Sequence, residues 1–400
     1  MSNNDVSHTG DSTLLRRVNQ SAILELIQEL GPISRSELAR RLGLSLATIT
    51  RIVTPLIEDD LIYEHSSAGS SGGRRPILLD FNYRASLIVG VYIGRNMVGA
   101  LADLNGTILR RLSVPSKQGE PGLQALVDFI QCLCSEAREL GVPVRGVGVG
   151  APSIVLQPDG IVAWAPTLGW RQLPLRQYLE AALSLPVVVQ NEINLIAVGE
   201  RWRGAGRGID NLACISLGGG IGAGLVIGGQ VYNGSHHAAG EIGYLVPRAR
   251  FIGRTYDGFG CLEAEAGGHG IVQRTAARIA AGESSVLQGD RALAADTVLQ
   301  AARSGDALAL AIVNETVDYL TIAIANLACI VDPERIIITG ELAEYGDLFL
   351  GPIRARLAGV VPAIPDIVLS DLGMDAAVLG AVASVVHETS DALFVQPSRT

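Results

Sequence analysis

The chain has 400 residues, too many for one ordinary core, so two or three domains are expected. Its 48% hydrophobic and 18% charged residues exclude a disordered chain, and a net charge of −9 excludes one that wraps nucleic acid along its whole length. No apolar run approaches the roughly 20 residues that cross a bilayer, and the polar residues 1–13 lack the apolar core of a secretion signal. The five cysteines, Cys132, Cys134, Cys214, Cys261 and Cys329, are odd in number and scattered, so a reduced, cytoplasmic protein with no membrane partner is expected.

The charge is uneven. Between Leu14 and Asp80 eight arginines meet eight acids, which leaves the acidic excess in the rest of the chain and makes this segment compatible with DNA. Lys117 is the single lysine among 31 basic residues, and the preference for arginine carries no functional inference.

Residues 1–13 are expected to be disordered, and residues 14–82 read as a DNA-binding domain. Val18, Ala22, Leu26 and Leu30 recur at four-residue steps, widened by Ile23 and Ile27, and predict an amphipathic helix ended by Gly31-Pro32. Ser34 with Glu37 predicts a capping box opening a second helix, and Gly43 a sharp turn. Ser45 then caps a third helix with Ile49, Val53, Leu56 and Ile57 inward, which completes a helix-turn-helix. Ser45, Ala47, Thr48, Thr50, Arg51 and Thr54 face outward; small, hydroxylic and cationic side chains approach a groove closely and reach phosphates or base edges. "LIYEH" and "PILLD" predict two strands around "SSAGSSGGRR", a wing with Arg74 and Arg75 at its tip. Those two arginines either meet phosphates or the minor groove or are solvated charge. Operator DNA is the expected partner, with a plain interaction module as the alternative.

From Ala85 onward strand-rich hairpins precede helices. "LIVGVYIGRNMVGALADLNGTIL" is a strand, a glycine turn at Gly94 and a hairpin signalled by Asn105-Gly106. "LACISLGGGIGAGLVIGGQVYNG" repeats that plan, which predicts two related α/β lobes around a cleft. A phosphate turn of this shape needs an acid for metal and a small hydroxyl, yet Tyr92, Arg95 and Asn96 stand there. The run Gly218–Gly224 holds no G-x-G-x-x-G before a helix, so no nucleotide cofactor is expected. The strand Val187–Val189 delivers Asn191 and Glu192 to a helix start, where they either line a cleft or cap the helix.

The order of "APSIV", "APTLGW", "LPVVVQNEIN", "LGGGIGAG", "AAGEIG" and "GCLE" behind a winged helix-turn-helix resembles the ROK (repressor, open reading frame, kinase) family, over roughly Leu14 to Glu388. The likeness is strongest to its transcriptional regulators of xylose-repressor and N-acetylglucosamine-repressor type. It implies a two-lobed actin-like (sugar kinase/ribonuclease H-like) α/β fold. The first lobe would span 83–190, completed by a helix at about 375–388, and the second 191–374.

The resemblance also implies roles. Tyr92 stands for the metal-binding acid of the first phosphate motif, and Gly219 for the hydroxyl of the second. Glu192 replaces the catalytic aspartate, one methylene longer, a change that binding tolerates better than catalysis. Ser153, Asn191, Glu192, Glu241, Tyr244 and Glu263 are the implied ligand contacts, with Tyr244 in the place of a histidine that meets both sugar and zinc. Arg254 and Tyr256 replace two zinc cysteines and leave Cys261, so no zinc is expected. The expected protein is a homodimeric repressor, with pairing into tetramers left open, that senses a sugar or sugar derivative without catalysis. A sugar kinase with an added DNA domain, and an interaction platform with an empty cleft, are the alternatives.

Overall fold

The computed structural model describes residues 8–66, 77–152, 154–256, 260–290 and 292–389. Helix α1 (His8–Leu30) begins inside the segment expected to be disordered. Strand β1 (Ile33–Ser34) leads to α2 (Arg35–Leu42) and α3 (Leu46–Glu58), and the wing strands are β2 (Ile62–Ser66) and β3 (Ile77–Phe81), with sheet order β1-β3-β2. The Ser34 hydroxyl accepts from the Glu37 amide at 3.2 Å, but the other half of the expected capping box is replaced. The Glu37 carboxylate accepts from Arg40 and Arg41, at 2.9 and 2.8 Å, because two guanidinium groups one turn on outcompete a neutral amide. Gly43 closes α2 at φ 65°, a left-handed conformation that glycine adopts without strain. The face α1 buries keeps Ile23 and Ile27 of the expected stripe and adds Leu24, while Val18, Ala22 and Leu26 are half-buried. Ile23, Leu24 and Ile27 are buried and Leu30 is exposed, because the helix packs on the wing sheet and on the lobe behind it rather than on α2 and α3 alone.

The first lobe is built from β4 (Leu87–Ile93), β5 (Asn96–Asp103), β6 (Ile108–Pro115), α4 (Gly119–Glu139) and β7 (Val144–Ala151). A small sheet of β8 (Ile154–Leu156), β9 (Ile161–Ala165) and β10 (Trp170–Pro174) follows, then α5 (Leu175–Leu183) and β11 (Val187–Asn191). Helix α6 (Glu192–Arg203) crosses to the second lobe: β12 (Leu212–Leu217), β13 (Ile221–Ile227), β14 (Gln230–Val231), α7 (Cys261–Ala266), α8 (Gly268–Ala280), α9 (Ala295–Arg303), α10 (Ala307–Val331), β15 (Arg335–Thr339), α11 (Gly346–Leu357) and β16 (Asp366–Leu369). The chain returns to the first lobe with α12 (Asp375–Thr389).

The two main sheets repeat one plan. Their orders are β11-β7-β4-β5-β6 and β14-β13-β12-β15-β16, each an antiparallel three-strand meander with two parallel strands added beside its first strand. This is the duplication that the two glycine-turn segments predicted. The Asn105-Gly106 hairpin turns over four residues rather than two, because the Asp103 carboxylate accepts from the amides of both Asn105 and Thr107, at 2.9 and 2.8 Å, and widens it. By length and composition α10 could span a bilayer, but most of it is buried in the second-lobe core.

Helices α6 and α12 join the lobes. A β-carbon on Gly199 would collide with the Ala376 carbonyl, and one on Gly380 with the Leu195 carbonyl, so the two helices meet backbone to backbone. Further along α12, Val382 and Val385 belong to the same buried cluster as Ile23, Leu24, Ile49 and Leu56 of the DNA domain. Gly199→Ala is therefore expected to lower the melting temperature through overpacking worth about 1–3 kcal/mol, despite alanine's better helix propensity; an unchanged melting curve would show that the helices are not locked there.

Candidate functional site

Two surfaces meet the sequence expectations. On α3, Ala47, Thr50, Arg51 and Thr54 are exposed along one side with Leu46, beside the half-buried Pro55, while Ser45 precedes the helix and Thr48 lies in its first turn. The Ser45 hydroxyl accepts from the Thr48 amide at 3.1 Å, so Ser45 caps the helix. The Thr50 and Thr54 hydroxyls donate back to Leu46 and Thr50 carbonyls, both at 2.9 Å, which leaves their lone pairs as acceptors for an outside donor. Arg35 pairs with Glu64, and Arg40 and Arg41 with Glu37. Among the described arginines of α2 and α3, Arg51 alone forms no ion pair. Arg74 and Arg75 lie outside the described residues.

The second surface is a cleft of about 760 Å³ between the lobes. It lies at the carboxyl ends of β4, β11, β12 and β15, where successive strands diverge and leave a crevice. Asn191, Glu192, Glu241, Tyr244 and Glu263 all line it, brought from β11, α6, the loop after β14 and α7. Ser153 lies outside the described residues. Asn191 also fulfils the alternative role, since its side-chain oxygen accepts from the Ile193 amide at 2.8 Å and caps α6.

The cleft acids are close enough to disturb one another. Burial and the neighbouring Glu241 push the Glu192 carboxyl up to about 7. Burial chiefly, with Glu241 beside it, pushes Glu263 to about 7 against the opposing amides of Gly260 and Ile221. Burial raises Glu241 as well. β-Carbons on Gly220 and Gly243 would stand 3.0 and 2.9 Å from the Glu263 carboxylate oxygens, so these glycines make room for an acid. Tyr244 is 63% exposed at the rim and presents a phenol to whatever enters.

The phosphate turn is filled. The Tyr92 hydroxyl occupies the space a β-carbon on Gly94 would need, and burial with Glu192 and Glu341 nearby pushes that phenol well above its ordinary range. A neutral phenol there neither anchors magnesium nor leaves the turn open. The residues do not fit a metal-bound nucleotide. Nor do those of the cysteine-poor loop fit zinc: the Cys261 thiol donates to the Tyr256 hydroxyl at 3.6 Å, while Arg250 and Arg254 stack over Phe251 at 4.8 and 5.3 Å. Among the described residues no three His, Cys, Asp or Glu side chains approach as a metal set.

Sequence reasoning missed several lining residues. Arg95, named at the turn but given no ligand role, Lys117 and His269 also line the cleft. His269 opens α8 and bonds Gln273 at 2.7 Å. Thr339 and Glu341 arrive with the turn after β15, whose apolar "RIIIT" followed by glycine is the one signal that could have found them.

A duplicated sheet around an acid-lined crevice, carried behind a winged helix-turn-helix, defines a sugar-kinase-like fold joined to a DNA-binding domain. A model described as "ROK family" matches residues 88–388, and one described as "Winged helix-turn-helix DNA-binding" matches residues 16–63. The chain belongs to the ROK family, and its architecture is that of the family's transcriptional regulators. It is 31% identical to a putative xylose repressor of Caldicellulosiruptor sp. (strain Rt8B.4), over 95% of this chain and 98% of that one. A solved ROK family transcriptional regulator, described as a homolog of the E.coli MLC protein, superposes with a TM-score of 0.83 at 28% identity, covering 95% of this chain and 98% of that one. A ROK family glucokinase from Streptomyces griseus, solved with glucose and AMPPNP, matches 76% of this chain and 100% of its own at 31% identity, with a TM-score of 0.64.

Proposed function

We propose that the protein is a cytoplasmic repressor of carbohydrate-metabolism genes whose two-lobed body senses a sugar or sugar derivative without phosphorylating it. The observation that carries this reading is Tyr92 folded over the Gly94 turn. Phosphoryl transfer depends on metal and on positioning at that turn, whereas half-buried carboxylates, each accepting from two hydroxyls, suffice for binding. The name of a relative matched over 95% of this chain, "putative xylose repressor", supports the carbohydrate assignment.

The path from cleft to DNA follows from the packing. Ligand held at Glu192 acts on the first turn of α6, α6 is seated on α12 at Gly199 and Gly380, and Val382 and Val385 of α12 share a buried cluster with the DNA domain. In a homodimer two recognition helices must stand one or more helical turns apart, so a modest change of lobe angle moves them out of register.

One observation favours the kinase alternative: a carboxyl near 7 at Glu192 suits a general base. Coupled ADP release with magnesium ATP over common hexoses and pentoses, run beside a thermal-shift panel of the same sugars, separates the readings. The expected result is no turnover and a raised melting temperature with at least one ligand. Turnover at an ordinary enzymic rate, roughly 1–1000 per second, restores the kinase. No shift with any sugar leaves the interaction platform.

A further inference from the structure

The cleft carries charge of opposite sign on its two walls. Glu192, Glu241, Glu263 and Glu341 approach from α6 and the second lobe, while Arg95 and Lys117 line the first-lobe side. Arg95 stands in the turn between β4 and β5, beside Gly94, and Lys117 follows β6. The Ser116 amide donates to the Arg95 carbonyl at 3.1 Å, which fixes the two cations on adjoining stretches of backbone. Neither cation forms an ion pair among the described residues, and the Ser116 hydroxyl between them is buried with no hydrogen-bond partner. An orphaned buried hydroxyl is costly unless something outside the chain satisfies it. Nor do the cations serve the acids: burial and the acids' own proximity set the carboxyls of Glu192 and Glu263, with no cation offsetting them.

We propose that Arg95, Ser116 and Lys117 form an anion subsite, and that the effector is an anionic sugar derivative. Its hydroxyls meet the carboxylates and its negative group meets the cations. The proposal rests on the sensor reading above and adds the ligand's charge and its orientation. Four acids on one wall repel a phosphate or carboxylate, so only the opposite wall accepts it. A nucleotide is the poorer occupant, because Tyr92 fills the turn that would grip its terminal phosphate. A guanidinium and an ammonium accept either a phosphate or a carboxylate, so a sugar phosphate and a sugar acid share the required chemistry.

The test uses the full chain and isothermal titration with matched probes: glucose, glucose 6-phosphate and glucuronate; mannose and mannose 6-phosphate; xylose and xylonate; inorganic phosphate alone; and ADP alone. Each is titrated into the wild type and into the Arg95→Ala/Lys117→Ala double variant, whose melting temperature reports folding. One anionic probe is expected to bind at least tenfold more tightly than its neutral parent and to lose that advantage in the double variant. The neutral parent should stay within twofold, inorganic phosphate should compete, and ADP should not. Whether the tighter probe is a phosphate or an acid identifies the source of the charge. Equal binding within every pair overturns the subsite and leaves the sensor intact. So does an equal loss for neutral and anionic probes in the double variant, which would make the cations lobe-positioning groups. Failure of every probe, neutral and anionic, overturns both readings.

Discussion

Glu192→Gln is expected to stabilise the empty protein at pH 8 and to abolish its response to ligand. The Glu192 carboxyl stands at about 7 in the fold against an ordinary 4.5, raised by burial and by Glu241. A folded-state value above the unfolded one means that the native state holds the proton more tightly. The stability linked to that proton is fully present below pH 4.5 and is lost as pH rises through about 7. A gap of that size corresponds to on the order of 3 kcal/mol at pH 8, an upper figure for one group in a cluster of interacting acids. Glutamine keeps the shape and never ionises, so the variant should melt several degrees higher at pH 8 and level with the wild type at pH 4. Differential scanning calorimetry across that range reads the effect directly. A melting temperature lowered by the same amount at every pH would show that Glu192 supports the fold through packing rather than being strained for a ligand. The accompanying loss of ligand-driven release from operator DNA is the functional half. Sites that bind polar ligands are commonly bought with stability, and a variant that gained stability while keeping its response would remove Glu192 from the binding set.

Arg51→Ala is expected to cost ten- to hundredfold in operator affinity while leaving the melting temperature unchanged. A cation that reaches a base edge bidentately is worth about 1–3 kcal/mol. Arg51 is exposed midway along α3 and forms no ion pair among the described residues, whereas Arg35, Arg40 and Arg41 are held by Glu64 and Glu37. Removing it therefore breaks nothing inside the domain. Gel shifts with operator and with random DNA at two salt concentrations give the readout. Loss confined to operator assigns base contact, and equal loss with a shallower salt slope assigns phosphate contact. Unaltered binding to both would move recognition away from α3.

The helix-turn-helix was legible because its signals are local. Ser34, Gly43 and Ser45 cap and turn the chain within a few residues of themselves, and the burial of Leu38, Ile49, Val53 and Leu56 follows the helical period. The face of α1 was legible only in part. The expected stripe included Ile23 and Ile27, which are buried, but it also ran through Leu30, which is exposed, and left out Leu24, which shares a buried cluster with Ile88, Leu104 and Val385 of the lobe. Periodicity names the apolar residues of a helix; a distant partner selects which of them lie inside.

The cleft divides along the same line. Motif order alone marked Asn191, Glu192, Glu241, Tyr244 and Glu263, since each sits at a strand end or a glycine turn whose local form is written in adjacent residues. Arg95 stands in the Gly94 turn but fills no motif position, Lys117 and His269 carry no such mark, and the carboxyls near neutrality are not a property of any glutamate by itself. By itself the sequence determined the kinds of side chain and the duplicated strand plan. Only the tertiary structure decided which charges share a crevice, because burial and Coulomb energy depend on distances between groups a hundred residues apart in the chain.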